Sequence, residues 1–139
     1  MSHIVSISVE MTDLIAVKAA CKRLGWEFKE GQSTYAWYGR SVGDYPLPAG
    51  MTKDDLGKCN HAVGVPGASY EVGLRKHGNN WVPVWDFWCS GGLKEDTGKR
   101  FAAAYAAEKA KIEARKKGYR VASETIKEDG TIRLTLTHN

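Results

Sequence analysis

Apolar and polar positions alternate from the first residues of the chain. Within residues 3–11, Val5, Ile7, Val9 and Met11 share one face, with mostly Ser and Glu on the other. That period of two predicts a half-buried strand. Thr12-Asp13 then offers a helix cap, and Leu14, Val17, Cys21 and Leu24 recur at helical spacing until Gly25 stops the run, predicting a helix over 13–24. Trp26-Glu27-Phe28-Lys29 alternates again and reads as a second strand, followed by a turn at Gly31-Gln32-Ser33. Tyr35 and Trp37, with their neighbours Ala36 and Tyr38, suggest a further short strand. From residue 39 to about 60 the pattern dissolves into Gly, Pro, Asp and Lys, a long irregular stretch of the kind that carries function or forms oligomers.

Periodicity returns at His61-Ala62-Val63 and Tyr70-Glu71-Val72-Gly73-Leu74, with a turn at Gly64-Val65-Pro66-Gly67 between them. His77-Gly78-Asn79-Asn80 is a hairpin signal leading into Trp81-Val82-Pro83-Val84-Trp85-Asp86-Phe87-Trp88. Ser90-Gly91-Gly92 breaks that strand. A long helix follows over about 95–117, with Phe101, Ala104, Tyr105 and Ile112 on its buried face and Gly118 as its stop. Residues 119–127 and 131–137 flank Asp129-Gly130, a strong hairpin signal. The principal elements run β-α-β-β-β-β-α-β-β. This order predicts one α+β domain over residues 1–139, with an antiparallel sheet, both helices packed on one face, and an irregular insertion at about 39–60.

In the tryptophan strand, Trp81, Pro83, Trp85 and Phe87 share one face and Val82, Val84, Asp86 and Trp88 the other. Two largely apolar faces fit a strand covered on both sides. They also fit a strand covered on one side that offers an aromatic platform to a flat ligand on the other. Asp86 stands out as a carboxylate within this run. It reads either as the acceptor of a structural hydrogen bond or ion pair, or as a polar anchor for a ligand beside the rings.

The composition is that of an ordinary globular domain, at 42% hydrophobic and 26% charged, long enough to bury a core. No run approaches the roughly 18 apolar residues of a membrane span, and no secretory leader is visible. Three widely spaced cysteines, Cys21, Cys59 and Cys89, favour reduced thiols in the cytoplasm. The net charge of +4 admits an anionic partner. A long nucleic acid would call for a continuous basic stripe and a higher charge.

These residues resemble a small family of unknown function, typified by the conserved hypothetical plastid reading frame thirty-five protein, with relatives in bacteria and phages. The resemblance is carried by Met1-Ser2-His3, Asp13-Leu14, Leu24-Gly25-Trp26-Glu27, Tyr70-Glu71-Val72-Gly73-Leu74, Trp85-Asp86-Phe87-Trp88, Phe101, Tyr105, Gly118-Tyr119-Arg120-Val121 and Asp129-Gly130-Thr131-Ile132-Arg133-Leu134. It covers most of the chain and is weakest over 40–60. It implies a compact α+β domain with no established activity and a frequent association with AAA-type ATPase genes, and it assigns no catalytic residue.

The chemistry-bearing patterns are sparse. Gly92 and Gly98-Lys99-Arg100 resemble a phosphate loop, but five residues separate the glycines where four are needed, and Arg100 stands where Ser or Thr must hold magnesium. Gly91 and Gly92 before a helix read as a plain turn or as amides open to an anion, with Lys94, Lys99 and Arg100 close by. The histidines and cysteines lack metal-ligand spacing, so no metal and no cofactor are expected. Cys59 and His61 form a thin thiol–imidazole candidate with no third orienting group.

The reading that absorbs most of these features is a non-catalytic module for a small anionic, nucleotide-like ligand. Tyr35, Trp37, Trp85 and Trp88 would supply stacking, Arg40, Arg75, Lys99 and Arg100 would supply charge, and Asp86 a polar anchor. Phage proteins that sequester cyclic-nucleotide signals, commonly as homo-oligomers, have this profile. Two alternatives stand beside it: an adaptor docking on a partner such as an AAA-type ATPase, and a nucleotide hydrolase using Asp86, Cys59 or His61.

Overall fold

A computed structural model describes residues 4–6, 11–39, 47, 51–87, 91–126 and 132–138. The first long helix, α1 (Leu14–Leu24), begins where Asp13 accepts the N–H groups of Ile15 and Ala16 on its side chain, at 2.9 and 3.3 Å. It ends at Gly25, whose φ of 73° and N–H to the Cys21 and Lys22 carbonyls make a left-handed cap. The second, α2 (Thr97–Lys116), packs against α1. Small buried residues on α1, Ala16, Val17, Ala20 and Cys21, let the helices approach. The Tyr105 hydroxyl of α2 accepts the N–H groups of Thr12 and Asp13, at 3.2 and 3.1 Å. Lys109 of α2 adds an ion pair to Asp13 at 3.0 Å.

The strands are β1 (Ile4–Ser6), β2 (Glu27–Lys29), β3 (His61–Gly64), β4 (Glu71–His77) and β5 (Asn80–Asp86). They form a five-stranded antiparallel sheet in the order β1-β5-β4-β3-β2. Strand alternation sorts the side chains. Val63, Val72, Leu74 and Trp85 face the helices and join Met11, Val17, Trp26, Leu93 and Phe101 in the main core. Ala62 and Val84 face the other way, into a second cluster with Tyr35 and Met51. Each fully buried large side chain contributes roughly 1.5–3 kcal/mol, so the tryptophan strand stabilises both layers at once. Both helices lie on one face, as the periodicities predict.

Two details differ from the expectation. The Tyr35–Trp37 stretch is not a strand; its neighbourhood makes a single bridge, Thr34 with Lys58. The C-terminal strands β6 (Tyr119–Ile126) and β7 (Ile132–His138) pair with each other as a separate two-stranded sheet. A lone hairpin is marginal in water, and this one is held on α2 and α1 through Glu124, which pairs with Lys111 at 2.9 Å and with Arg23. The Asp129-Gly130 turn and residues 7–10 lie outside the described residues. Among the described residues, no helix is long and apolar enough to cross a membrane.

Candidate functional site

The sheet face away from the helices is covered by irregular chain, residues 32–38 and 51–59. Two strand carboxylates hold the first of these segments. Glu71 on β4 accepts the Gln32 side-chain amide at 3.0 Å, the Ala36 N–H at 2.9 Å and the Lys29 ammonium at 2.6 Å, while its own N–H donates to the Ala36 carbonyl. Burial alone would raise the Glu71 carboxyl; Lys29 and the Ala36 N–H outweigh it and hold it below its usual range. Asp86, fully buried at the end of β5, accepts the Tyr38 N–H at 3.0 Å. This is the structural hydrogen bond that the sequence left open for Asp86. The second segment is laced to the first by Tyr35 N–H to the Gly57 carbonyl and Cys59 N–H to the Ser33 carbonyl, at 3.0 and 2.9 Å.

Within this layer the ring of Tyr35 lies against Gly73, where a side chain on β4 would otherwise stand. The Trp37 indole packs over Gly57 in the same way. Tyr35 is 2% exposed, and among the described residues its hydroxyl is the one buried side-chain polar atom that meets no hydrogen-bond partner. Burial pushes that phenol up to about 12, against the Gly57 backbone beside it and Arg75, which favour its ionisation, while the Cys59 thiol and Asp86 oppose it. It therefore stays protonated, a donor. Arg75 follows Gly73 by two residues on β4 and so shares its face. Its guanidinium reaches Asp55 at a loose 3.7 Å. Asp55 is turned toward Thr52, accepting its N–H at 2.9 Å and its hydroxyl at 3.2 Å, and these bonds lower its carboxyl.

The nine sequence-predicted site residues do not form one site. Tyr35, Trp37, Arg75 and Asp86 come together on this face. Trp85 sits in the main core at 2% exposure with its indole N–H donating to the Lys94 carbonyl at 2.9 Å, so its ring offers no surface for stacking. Lys99 and Arg100 ride on the first turn of α2, across the sheet from Tyr35, and Arg100 lies over the Trp26 ring at 5.6 Å. The physical reason is alternation: Trp85 and Asp86 are neighbours in sequence and point to opposite layers. Arg40 and Trp88 lie outside the described residues.

The remaining candidates are absorbed by the fold. Cys59 packs with the loop-side cluster and donates to the Gln32 carbonyl, while the His61 ring lies between Phe28 and Trp81, so the two are not a pair. Burial pushes the Cys59 thiol up to about 11, the opposite of an activated nucleophile. The Gly91 carbonyl accepts the Ser69 and Tyr70 N–H groups, and the Lys94 N–H is taken by the Thr97 hydroxyl at 3.2 Å, which is the plain-turn reading of that glycine loop. Among the described residues no cluster of three or more His, Cys, Asp or Glu is placed to hold a metal ion.

Sequence reasoning missed two features. Glu71 is a lone carboxylate in an apolar strand, the same signal that drew attention to Asp86. It lines an open cleft of about 300 Å³ at the β2 edge with Lys29, Gly64 and Tyr70. On the helix side, Phe28, His61 and Trp81 form a row with ring centres 5.2 and 5.1 Å apart, with Lys18 over Phe28 and Lys76 over Trp81 at 5.5 and 5.7 Å. These rings come from β2, β3 and β5, far apart along the chain, so no local motif announces them.

A family described as a protein of unknown function (DUF1257) matches residues 49–135, the stretch that contains β3, β4, β5, α2 and β6. No curated protein and no solved structure matches the chain.

Proposed function

The chain belongs to that family of unknown function, and from that premise we propose that it is a non-catalytic binding module for a small anionic, nucleotide-like ligand. The observation that supports this reading is the gathering of Trp37 and Arg75, with the buried Tyr35, on the sheet face that the two long helices leave to the loop layer. Trp37 is half-buried, with its indole against Gly57, so part of the ring remains accessible to a base. Base–aromatic stacking contributes roughly 1–3 kcal/mol per base. Arg75 is anchored on a central strand and, among the described residues, makes one loose ion pair, so its guanidinium can turn to a phosphate and form a charge-assisted bond. The finer form of the reading is capture of a cyclic nucleotide by an oligomer of this chain.

A thermal-shift screen against linear and cyclic nucleotides tests it, because excess ligand raises the melting temperature by mass action. A rise that disappears in Trp37→Ala supports the site. No shift with any of them at high micromolar concentration overturns it.

The adaptor reading is favoured by a different observation. The β6–β7 hairpin stands apart from the main sheet and leaves Tyr119 and Leu136 36% and 41% exposed. A partner such as an AAA-type ATPase would dock there. Loss of co-elution with such a partner in Leu136→Ser, at unchanged melting temperature, is its test.

A further inference from the structure

We propose that the outer edge of β7 pairs with β7 of a second copy of this chain, so that two β6–β7 hairpins join into one continuous antiparallel sheet. The inference stands apart from the ligand reading, and it gives the hairpin to a second copy rather than to an ATPase partner. Among the described residues β7 pairs with β6 alone, so alternate residues of Ile132–His138 direct their N–H and C=O groups away from it. Proteins blunt such edges with lysine, proline, bulges or short strands. The main sheet follows that rule by ending on the three-residue strands β1 and β2. β6 follows it with a register shift between Val121 and Ser123 that leaves Ala122 with no opposite residue. β7 has neither lysine, proline nor bulge; its seven residues, Ile-Arg-Leu-Thr-Leu-Thr-His, run in unbroken sequence along their partner.

The occupant follows from the sequence of this edge, which is complementary to itself. Residues directly opposite in an antiparallel pair stand on the same face, so a two-fold axis must pass through a residue of β7 rather than between two. An axis at Thr135 uses the whole strand. Moving it to Leu134 shortens the pairing to residues 132–136, and moving it to Leu136 shortens it to 134–138. The axis at Thr135 sets Leu134 opposite Leu136 of the second copy and Arg133 opposite its Thr137, each twice over by symmetry. Leu136 is 41% exposed in the single chain, and the leucine pairs would cover it. Thr135 meets its own copy, a threonine pair of the kind that stabilises neighbouring strands. No like charges stand opposite one another. Arg120 of β6 donates to the Thr137 hydroxyl from the far side, at 3.1 Å. That places it two strand spacings, about 10 Å, from Arg133 of the second copy, where salt screens their repulsion.

The test is sedimentation velocity of the full chain over a concentration series, with the variants Thr135→Lys and Thr135→Glu. Thr135 is exposed and lies opposite Ser123 in its own hairpin, so either change should leave the single chain folded, which circular dichroism checks. Wild type should associate to a dimer. Each variant sets two like charges face to face on the axis and should weaken that dimer on the order of tenfold. An equimolar mixture of the two sets Lys against Glu and should form a heterodimer tighter than either variant alone. Hydrogen exchange of wild type gives a readout free of substitutions: the outward amides of β7 should slow as concentration rises, while the outward amides of β6 keep their rate. Wild type that stays monomeric from low to high micromolar concentration overturns the inference and leaves the ligand and adaptor readings standing. So do variants that dimerise as wild type does, and so does a mixture that associates no better than its components, since the axis then lies elsewhere. Should both variants lose their fold, β7 amides that exchange at one rate at every concentration overturn it.

Discussion

Tyr35 occupies the place of a side chain at position 73: a Cβ built on Gly73 would stand 2.8 Å from Tyr35 Cε1, 2.9 Å from Cγ and closer still to Cδ1 between them. A glycine inside a strand often marks such a close approach. Gly73→Ala should therefore destabilise the protein by about 1–3 kcal/mol, the usual cost of overpacking. Urea denaturation checks this. The double variant Gly73→Ala with Tyr35→Ala should lose less than the sum of the two single changes, because the clash has been removed with the ring. Additive losses would show that the contact does not exist in solution.

The anchoring role of Asp86 has its own signature. Asp86→Ala removes the acceptor of the Tyr38 N–H and should cost about 1.5–3 kcal/mol, the range for hydrogen bonds to charged groups. The Tyr38 amide should then exchange with solvent at a rate near that of an open segment, while amides in α1 and α2 keep their relative protection.

Stability should fall in acid, beginning near the ordinary carboxyl values. The Glu71 carboxyl lies below its ordinary 4.5 in the folded chain, and Asp13, hydrogen-bonded by Lys109, lies below 3.8. A depressed carboxyl contributes stability that is fully present above its unfolded pKa and is lost as the pH falls through the folded one. Urea midpoints should hold from neutral pH to about pH 5 and then drop, and Glu71→Gln should flatten that drop. An unchanged acid slope in Glu71→Gln would remove Glu71 from the account.

The division of the aromatic and basic residues between two layers predicts unequal effects. Trp85→Ala should cost about 3–5 kcal/mol, as for any large core ring, and leave too little folded protein to assay at 37 °C. Arg100→Ala removes an exposed cation over Trp26 and should cost no more than about 1 kcal/mol. It should also leave nucleotide affinity unchanged, since it lies across the sheet from Tyr35. A large loss of affinity in Arg100→Ala would place the ligand on the helix side, beside the Phe28–His61–Trp81 row.

The ends of α1 were legible because Asp13 and Gly25 act locally: one accepts amides two and three residues on, the other takes a backbone shape that glycine adopts without strain. The alternation of the tryptophan strand was legible for the same reason. Which of its faces the helices would cover was not, because that is decided by the packing of Leu93, Phe101 and Tyr105 from far along the chain. The proposed site was scattered for this reason: parity separates Trp85 from Asp86, but it does not say which side Lys99 and Arg100 will join. Tyr35 read as a strand residue because it is aromatic and flanked by other rings. Its actual place depends on Gly73, Glu71 and Gly57, which come from distant turns and strands.

Covering one side of the sheet with fastened coil instead of a helix has an evolutionary consequence. A helix fixes its own repeat, and an inserted residue would rotate every side chain beyond it. This layer is pinned at Ala36 and Tyr38 and again at Gly57 and Cys59, so chain can be gained or lost between Tyr38 and Met51 without shifting the register of a single strand. The entropic penalty rises only with the logarithm of the added length, about 0.6 kcal/mol per doubling. Length and sequence can therefore vary there at little risk to the scaffold beneath.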